Sequence, residues 1–512
     1  MLAHGKYAIT DPSAPMAGFR EETALRIQDG VITELGSWKD LRARYPDEPA
    51  VGNGRQLLMP GLIDAHTHGA GLSYAQRGVR LDYLENSLLD FATALQLPPE
   101  LTAMMNAVRH IRNGCTTIHH NESGAALDPA LAETSRRKIA GYRKTGIRLG
   151  YSMGIRNRNT LALEDEAFLE TLPEDLRLQA ESRVHYDKKA AADQYLDAFD
   201  EVFRTENHGC VRVFLGPNWV QGSTDELLLR VKERSDSLGK LPIHLHCLQT
   251  PVQKAFGLRN YGKSLVGHLD DLGLVDSNLV LGHAVYLSQD DIQLLGNRHA
   301  SVTHHPSCNL IMRNGIAPVY EMLRSGINVA LGIDEKGIND DEDPIMEMRM
   351  IYYLHRCPGT DLSSLPAVSP ETVLQIATLN GAAPSGFAAQ VGALRPGMAA
   401  DLILVDMDDI LNEPWVSPDA PIPWLFVRRA LGRHVNTVII GGKIIMEERN
   451  IKTIDLEALY DQVRQAASLG RMPKQLENEA FLQRIKPYYQ AWYNAWLKDL
   501  EFEPYYFFNS RQ

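Results

Sequence analysis

The sequence has few cysteines, no long apolar segment and no excess of basic residues. Its five cysteines are odd in number and lack CxxC spacing, which argues against a disulfide framework and against a thiolate zinc site. No run approaches the roughly 20 apolar residues of a membrane helix, and no basic N-terminal segment precedes an apolar one, so we expect a cytoplasmic protein without membrane partners. The formal net charge of −12 argues against a nucleic-acid partner, because phosphate recognition needs a concentrated positive field.

The middle of the chain has the pattern of a parallel α/β fold. The 512 residues are 44% hydrophobic and 23% charged, which is typical of a globular protein. Strand-like runs such as "GCTTIHH", "CVRVFLGPNW" and "NVALGID" alternate with helical stretches. About eight such βαβ units predict a (β/α)8 TIM-like barrel, in which chemistry occurs at the C-terminal ends of the strands.

Both ends of the predicted barrel are flanked by other structure. Short strand-like runs lie near the N-terminus, with Asp29-Gly30 as a hairpin turn, and they return late in the chain, so we expect one small β-sandwich built from both ends. Aromatic clusters such as "YYQAWYNAW" favour C-terminal helices that pack on the barrel or on a partner subunit over a ligand-binding role. The predicted divisions are an N-terminal segment of the β-sandwich (1–58), the metal-dependent barrel (59–388), a later segment of the β-sandwich (389–450) and a C-terminal helical extension (451–512).

Two histidines stand one residue apart in "LIDAHTHGAG". We interpret the preceding run "LLMPGLID", Leu57 to Asp64, as one short buried strand with a Pro-Gly entry. His66 and His68 then fall at or just past its end, and residues two apart on a strand share a face. This pattern alone fits a shared metal ion or polar side chains where a strand meets solvent.

Further candidate metal ligands end other predicted strands. In "LPIHLHCLQT", His244 and His246 share a face, and His246 is the better ligand candidate because it lies nearer the strand end. His283 and Asp334 are the polar residues that end two later strands, and a buried aspartate needs a partner. Three histidines and one aspartate suit a divalent metal such as zinc or iron.

Taken in order, these motifs resemble the amidohydrolase superfamily. They are "PGLIDAHTH", "HLHCLQT", "LGHAVYLS", "VTHHPSCNLIMRNGIAPV", "LGIDEKGINDDEDPIMEMR" and "GALRPGMAADLILVD". The closer likeness is to the cytosine deaminase-like branch, which includes guanine, methylthioadenosine and S-adenosylhomocysteine deaminases and triazine hydrolases. The likeness spans about residues 20 to 450.

The resemblance implies one metal ion bound by His66, His68, His246 and Asp334, with His283 holding the attacking water. Binuclear relatives use a carboxylated lysine on the fourth strand, whereas the matching run here has no lysine. We therefore expect one divalent ion per chain, zinc in preference to Fe²⁺. Metal-bound hydroxide would attack an sp² ring carbon of a small polar N-heterocycle while Asp334 accepts a proton, most simply in hydrolytic deamination.

One position departs from the deaminase pattern. Where those enzymes have a proton-carrying glutamate, this chain has Gln249, which can bind substrate but cannot act as an acid or base. Desulfurisation or dechlorination of a heterocycle therefore stays open, as does hydrolysis of a cyclic amide, while a non-catalytic scaffold is disfavoured because all expected ligands are present. Ile338 stands where the deaminases often have serine. We interpret Glu335 and the acidic run Asp340 to Asp343 as a solvated loop. In the alternative interpretation, Glu335 carries protons in place of the missing glutamate.

Further residues near strand ends are candidate substrate contacts. Arg156 and Arg158 could clamp a substrate carboxylate or could lie on a surface loop. The segment with His304 and Asn309 matches the family's His-Asn-Pro-x-Ser-Asn, except that His305 replaces the first Asn. With Gln249 and His120, these residues complete the expected contacts to a small heterocycle that could carry a carboxylate. We expect a homodimer or a higher homo-oligomer.

Overall fold

The computed structural model describes residues 1–14, 18–334, 337, 340–356, 368–498 and 500. The candidate shuttle Glu335 and the substituted position Ile338 lie outside the described residues. Among the helices that are described, none combines the length and the apolar character needed to cross a bilayer.

The described residues form two β-sheets surrounded by helices. The strands are β1 Leu2–Ile9, β2 Phe19–Gln28, β3 Val31–Ser37, β4 Ala50–Val51, β5 Gln56–Pro60, β6 Leu62–Thr67, β7 Cys115–Asn121, β8 Arg148–Ile155, β9 Val211–Pro217, β10 Ile243–Cys247, β11 Leu279–His283, β12 Ser301–His304, β13 Asn328–Leu331, β14 Leu402–Asp406, β15 Val435–Ile440, β16 Lys443–Glu447 and β17 Asn450–Ile451. The helices are α1 Trp38–Arg44, α2 Leu84–Phe91, α3 Pro99–Arg112, α4 Leu131–Thr145, α5 Asp165–Leu169, α6 Glu174–Val184, α7 Lys188–Glu206, α8 Asp225–Ser237, α9 Pro251–Tyr261, α10 Leu265–Asp271, α11 Gln289–Asn297, α12 Pro306–Ile311, α13 Val319–Arg324, α14 Pro344–Leu354, α15 Pro370–Ile376, α16 Leu379–Ala382, α17 Asp408–Asn412, α18 Ile422–Arg429, α19 Leu456–Ser468 and α20 Pro473–Lys498.

Strands β6 to β13 form a parallel barrel in sequence order. The ends of β13 and β6 are tied together, because the N–H of Asp334 donates to the carbonyl of His66 at 2.9 Å. The N–H of Ile333 also donates to the Asp64 carboxylate at 3.0 Å. The predicted (β/α)8 fold is confirmed, and the C-terminal strand ends meet on one face.

The second sheet combines both ends of the chain, as expected. Strand β14 pairs antiparallel with β5, and β1 to β4 and β15 to β17 complete the sheet. The turn between β2 and β3 lies at Asp29-Gly30, where φ values of 50° and 80° match the hairpin turn predicted there. A buried ion pair joins this sheet to the barrel, because Arg148 donates to both carboxylate oxygens of Asp401 at 2.7 and 2.9 Å.

The expectation of one strand over Leu57 to Asp64 is wrong. Strand β5 ends at Pro60 in the outer sheet, and β6 begins at Leu62 in the barrel. At the crossing, a Cβ on Gly61 would lie 2.1 Å from the Thr116 side chain, so only glycine fits. Both strands are buried throughout, and a continuous apolar run therefore gave no sign of the change of sheet.

The interpretation of the acidic run as a solvated loop is also wrong for its last two residues. Glu342 and Asp343 are buried. The Asp343 carboxylate accepts the N–H of Ile345 at 2.8 Å and that of Gly432 at 2.7 Å. Asp343 thus caps the N-terminus of α14 and connects it to the segment that contains Gly432. The composition of the acidic run does not reveal this role.

The C-terminal helix α20 packs on the barrel, one of the two arrangements expected for the extension. Lys486 contacts both carboxylate oxygens of Asp90 on α2, at 2.9 and 3.0 Å. Trp492 donates its ring N–H to the carbonyl of Leu163, in the segment after β8, at 3.0 Å. Helix α20 therefore lies against segments that follow the C-terminal ends of barrel strands.

Candidate metal centre

Four side chains converge at the C-terminal face of the barrel: His66 of β6, His68 just after it, His246 of β10 and Asp334 after β13. Their ligand atoms all lie within 4.8 Å of one another. His68 Nε2 lies 3.1 Å from Asp334 Oδ1 and 3.2 Å from His246 Nε2, and His66 Nε2 lies 3.6 Å from Asp334 Oδ1. The structure thus brings together the four residues that the sequence suggested as ligands.

Backbone carbonyls fix the orientation of two of these rings. Nδ1 of His68 lies 2.7 Å from the carbonyl of Asn121, and Nδ1 of His246 lies 2.8 Å from that of Asn218. A carbonyl can only accept, so each Nδ1 carries the proton. Each Nε2 lone pair is then left facing the cluster, as metal ligation requires.

The environment of His66 fits a bound cation. Its Nδ1 lies 2.9 Å from Nε2 of His244, so His244 supports the ligand rather than joining the set, as expected. Its Nε2 is buried and has no hydrogen-bond partner among the described residues. Burial, with the neighbouring histidines, lowers the pKa of His66 well below its usual value, so the ring is neutral. Tetrahedral zinc with ligands at about 2.0–2.1 Å needs ligand atoms about 3.3 Å apart, close to the spacing found here.

His283 ends β11 with its Nε2 3.9 Å from Asp334 Oδ2. Its Nδ1 lies 3.1 Å from the side-chain oxygen of Asn309 and 3.0 Å from Nδ1 of His305. His283 and Asp334 have positive φ values of 71° and 57°, a costly conformation that clusters at functional sites. Asn309, which we predicted to contact the substrate, lies against His283 in the structure.

Sequence reasoning missed the supports behind the ligands. Asp64 accepts the N–H of His66 at 3.0 Å, and its other oxygen lies 2.9 Å from Nε2 of His110. Burial by itself lowers the pKa of His110, but the hydrogen bond to Asp64 and the negative charges of Asp64 and Glu342 together outweigh burial, and the pKa is raised. A second support is Cys308, whose thiol lies 2.7 Å from Asp334 Oδ2. The motif "PGLIDAHTH" contains Asp64, but nothing local pairs it with a histidine on α3.

Gln249 follows β10 and is buried. Its N–H donates to the Gln253 side chain at 2.8 Å. The adjacent Thr250 donates its hydroxyl to Glu85 of α2 at 2.7 Å. Burial raises the pKa of Glu85, which sequence reasoning did not select because no strand precedes it directly.

The structure does not bring His120 or His304 to this cluster. His120 lies with Nδ1 2.8 Å from the Tyr142 hydroxyl and Nε2 3.3 Å from the Glu122 carboxylate. His304 contacts His355 at 3.0 Å. Both rings contact groups of the surrounding protein, and their role in substrate binding stays a prediction.

The two candidate arginines face different surroundings. The Arg156 guanidinium lies 5.3 Å from the Trp219 ring centre and lines a cavity of about 190 Å³. Arg158 donates to the Tyr261 hydroxyl at 3.0 Å and lies 5.4 Å from the Phe256 ring. Arg158 does not line that cavity, which makes Arg156 the stronger of the two candidate substrate contacts.

Comparison with known proteins identifies relatives over most of the chain. The model of the Amidohydrolase family matches residues 57–445. A 5-methylthioadenosine/S-adenosylhomocysteine deaminase of Syntrophomonas wolfei is 32% identical over 463 residues, covering 88% of this chain and 96% of the relative. A 5'-deoxyadenosine deaminase of Methanosarcina mazei is 29% identical over 461 residues, covering 88% and 94%.

Solved structures share the fold. An adenosine deaminase from Xanthomonas campestris with bound zinc superposes with a TM-score of 0.75 at 26% identity, covering 91% of this chain and 98% of the other. The atrazine chlorohydrolase TrzN from Arthrobacter aurescens, complexed with zinc, gives a TM-score of 0.74 at 20% identity, covering 91% and 99%. At that lower identity the likeness concerns the fold alone.

Proposed function

Because the chain belongs to the amidohydrolase family, we propose that it is a zinc-dependent hydrolase that deaminates a small N-heterocycle of the adenosine type. The resemblance drawn from the sequence motifs is confirmed by the family match. The deaminases named among the relatives cover nearly nine-tenths of the chain, which supports amino-substituted purines as the first substrates to test.

The convergent ligand set carries this proposal. His66, His68, His246 and Asp334 would hold one zinc ion, and strand β9 offers no lysine to bridge a second. A bound zinc ion would lower the pKa of a coordinated water to about 7, which supplies a nucleophile at neutral pH. Three imidazoles and one carboxylate match the ligands that zinc prefers.

His283 and Asp334 are the side chains that would accept protons or hydrogen bonds during the reaction. With Nδ1 of His283 donating to Asn309, Nε2 can accept a hydrogen bond from the attacking water. Asp334 is positioned to take a proton through its carboxylate, whose Oδ2 lies 3.9 Å from His283 Nε2. Gln249 would orient the ring through its amide, since it cannot exchange protons.

Gln249 also favours a second candidate function. Ammonia leaves readily only when it is protonated, whereas chloride and thiolate depart without a proton. Without the usual glutamate, dechlorination or desulfurisation of a heterocycle is the alternative reaction at the same centre.

Turnover by the zinc-loaded protein tests both functions. The substrates are 5'-deoxyadenosine, 5'-methylthioadenosine and S-adenosylhomocysteine, followed by chlorinated and thiolated purines. We expect ammonia release and the spectral change of purine deamination, both lost in His283→Ala. Chloride or sulfide without ammonia would favour the alternative, and no product from any compound would refute both. The expected cytoplasmic location and homodimer stay predictions, which cell fractionation and light scattering test.

A further inference from the structure

We propose that Arg156 and helix α20 form a binding site for an anionic group of the substrate. The site is the cavity of about 190 Å³, whose walls include Leu88, Arg156, Leu163, Trp219, Tyr489 and Tyr493. Helix α20 lies outside residues 57–445, the part of the chain that the family model matches. The inference rests on the proposed function in that the anion belongs to the molecule being hydrolysed.

The cavity adjoins the metal centre through two segments. Trp219 pairs with His246 as an isolated parallel bridge, and the preceding residue, Asn218, accepts the N–H of His246 at 3.0 Å. On the other side, α2 carries Leu88 on the cavity wall and Glu85 against the Thr250 hydroxyl. A substrate ring held beside the ligands could therefore extend a substituent into the cavity.

Arg156 is a cation without a neutralising partner. Its contacts are a hydrogen bond from Nε to the carbonyl of Gly124 at 3.4 Å and the face of the Trp219 ring. Among the described residues, no carboxylate lies within ion-pair distance of its guanidinium. Burial lowers the pKa of Arg156, because the charged form loses hydration. A half-buried guanidinium without a carboxylate partner gains from binding an anion, especially one that accepts two parallel hydrogen bonds.

The nearby carboxyl groups are already committed. The Asp165 carboxylate accepts the N–H groups of Thr160, Leu161 and Ala162 at 2.7, 3.0 and 2.8 Å. It therefore closes its own loop instead of pairing with Arg156. Glu85 accepts the Thr250 hydroxyl, and burial raises its pKa, which reduces its repulsion of an anion.

Helix α20 holds the aromatic wall in place. The N–H of Leu163 donates to the Tyr493 hydroxyl at 2.8 Å. The second arginine of the cavity, Arg183, donates to Asn478 of the helix at 2.6 Å and covers the Phe481 ring, so it serves the helix rather than a ligand. Arg156, with no side-chain hydrogen-bond acceptor of its own and with aromatic and aliphatic walls beside it, fits a carboxylate or phosphate on an apolar arm.

Calorimetric binding of phenylacetate and phenylacetamide to the zinc-loaded protein tests the cavity without turnover. The two probes match in size and differ in charge. We expect phenylacetate to bind at least tenfold more tightly, and Arg156→Met to remove that preference. Arg158→Met is the matched control and should keep the preference, because Arg158 faces Tyr261. Equal binding of the two probes overturns the inference. A preference for phenylacetate that survives Arg156→Met also overturns it, because the carboxylate would then be binding to zinc.

Kinetics then connect the cavity to substrate choice. The carboxylate-bearing S-adenosylhomocysteine is compared with 5'-methylthioadenosine, which lacks a carboxylate. In Arg156→Met, the KM for the first should rise about 10- to 100-fold relative to the second, with little change in the ratio of their kcat values. Tyr489→Leu should weaken the same preference by removing the wall. If the ratio of the two KM values is unchanged in Arg156→Met, the inference is contradicted. Failure to deaminate either compound refutes the proposed function instead, and the phenylacetate experiment then tests the anion site by itself.

Discussion

The Sγ atom of Cys308 lies 2.7 Å from Oδ2 of Asp334, on the carboxylate that also faces His68 and His66 through Oδ1. Cys308 is buried, and its thiol can donate one weak hydrogen bond. The two oxygens of Asp334 therefore have different surroundings, one toward the ligand cluster and one toward a donor. That difference keeps the carboxylate in a single orientation.

Cys308→Ala should lower kcat/KM by about tenfold, because a hydrogen bond to a charged group contributes about 1.5–3 kcal/mol. Cys308→Ser supplies a hydroxyl donor and should restore most of the loss. Bound zinc should stay the same in both variants, since neither removes a ligand. Cys210→Ala, at a half-buried cysteine in another region of the chain, is the control. Equal activity of the Ala and Ser variants would show that the contact has no positioning role.

Metal content is the most direct check on the ligand set. Elemental analysis of the purified protein should find one zinc ion per chain, and His66→Ala should lose zinc and activity together. His185→Ala is the matched control, because His185 is an exposed histidine paired with Glu166. Two tightly held metal ions per chain would refute the single-ion site, and wild-type zinc in His66→Ala would remove that histidine from the set.

Gln249→Glu tests the missing shuttle. The variant should gain activity toward aminated rings relative to chlorinated ones, because a carboxyl group can protonate ammonia as it leaves. The pH profile of kcat/KM should gain one ionisation that the wild type lacks. Gln179→Glu, at an exposed glutamine, controls for the added charge. A profile and a substrate preference that both match the wild type would mean that position 249 lies away from the reacting atoms.

The C-terminal ends of the barrel strands could be located from the sequence. His66, His246, His283 and Asp334 each follow an apolar run that begins inside the barrel, and parallel strands in this fold end on one face. The order of the strands therefore predicted that these residues meet on one face, whereas the ligand set and the role of His283 came from the resemblance to the family. The crossing at Gly61 could not be seen in the same way, because β5 and β6 are both buried throughout.

The sequence pattern could not predict the direction in which a side chain points on a strand that is buried on both faces. His119 and His120 are neighbours on β7, whose residues are all buried. The ring of His119 lies 4.7 Å from that of His244, whereas His120 turns to the Tyr142 hydroxyl. Alternation assigns them to opposite faces, but it does not say which face is the barrel interior when both are covered.

The network around Glu122, which holds His120 outside the cluster, makes a prediction about stability. Glu122 lies 2.5 Å from Lys138, and both side chains are about 14% exposed or less. Burial alone would raise the pKa of Glu122, but the charge of Lys138 and the hydrogen bond to His120 outweigh it and lower the pKa. Lys138→Met leaves this carboxylate without its cation, and we expect a loss of about 2–4 kcal/mol in the free energy of unfolding at pH 7.

The same helix provides the matched control. Lys144 of α4 pairs with Glu100, but the two side chains are 58% and 32% exposed, so Lys144→Met should cost about 0–1 kcal/mol. Because the pKa of Glu122 is lowered in the folded protein, its contribution is present above the unfolded value of about 4.3 and is lost as the pH falls below it. In Lys138→Met, burial without the neighbouring cation raises the pKa of Glu122, so protonation removes the unpaired charge as the pH falls. The difference between wild type and Lys138→Met, measured by urea unfolding, should therefore be smaller at pH 4 than at pH 7. Adding Glu122→Gln to Lys138→Met should recover some of the loss, since no charge then stays buried alone. Equal losses in the two lysine variants would place the Glu122 pair among ordinary surface contacts.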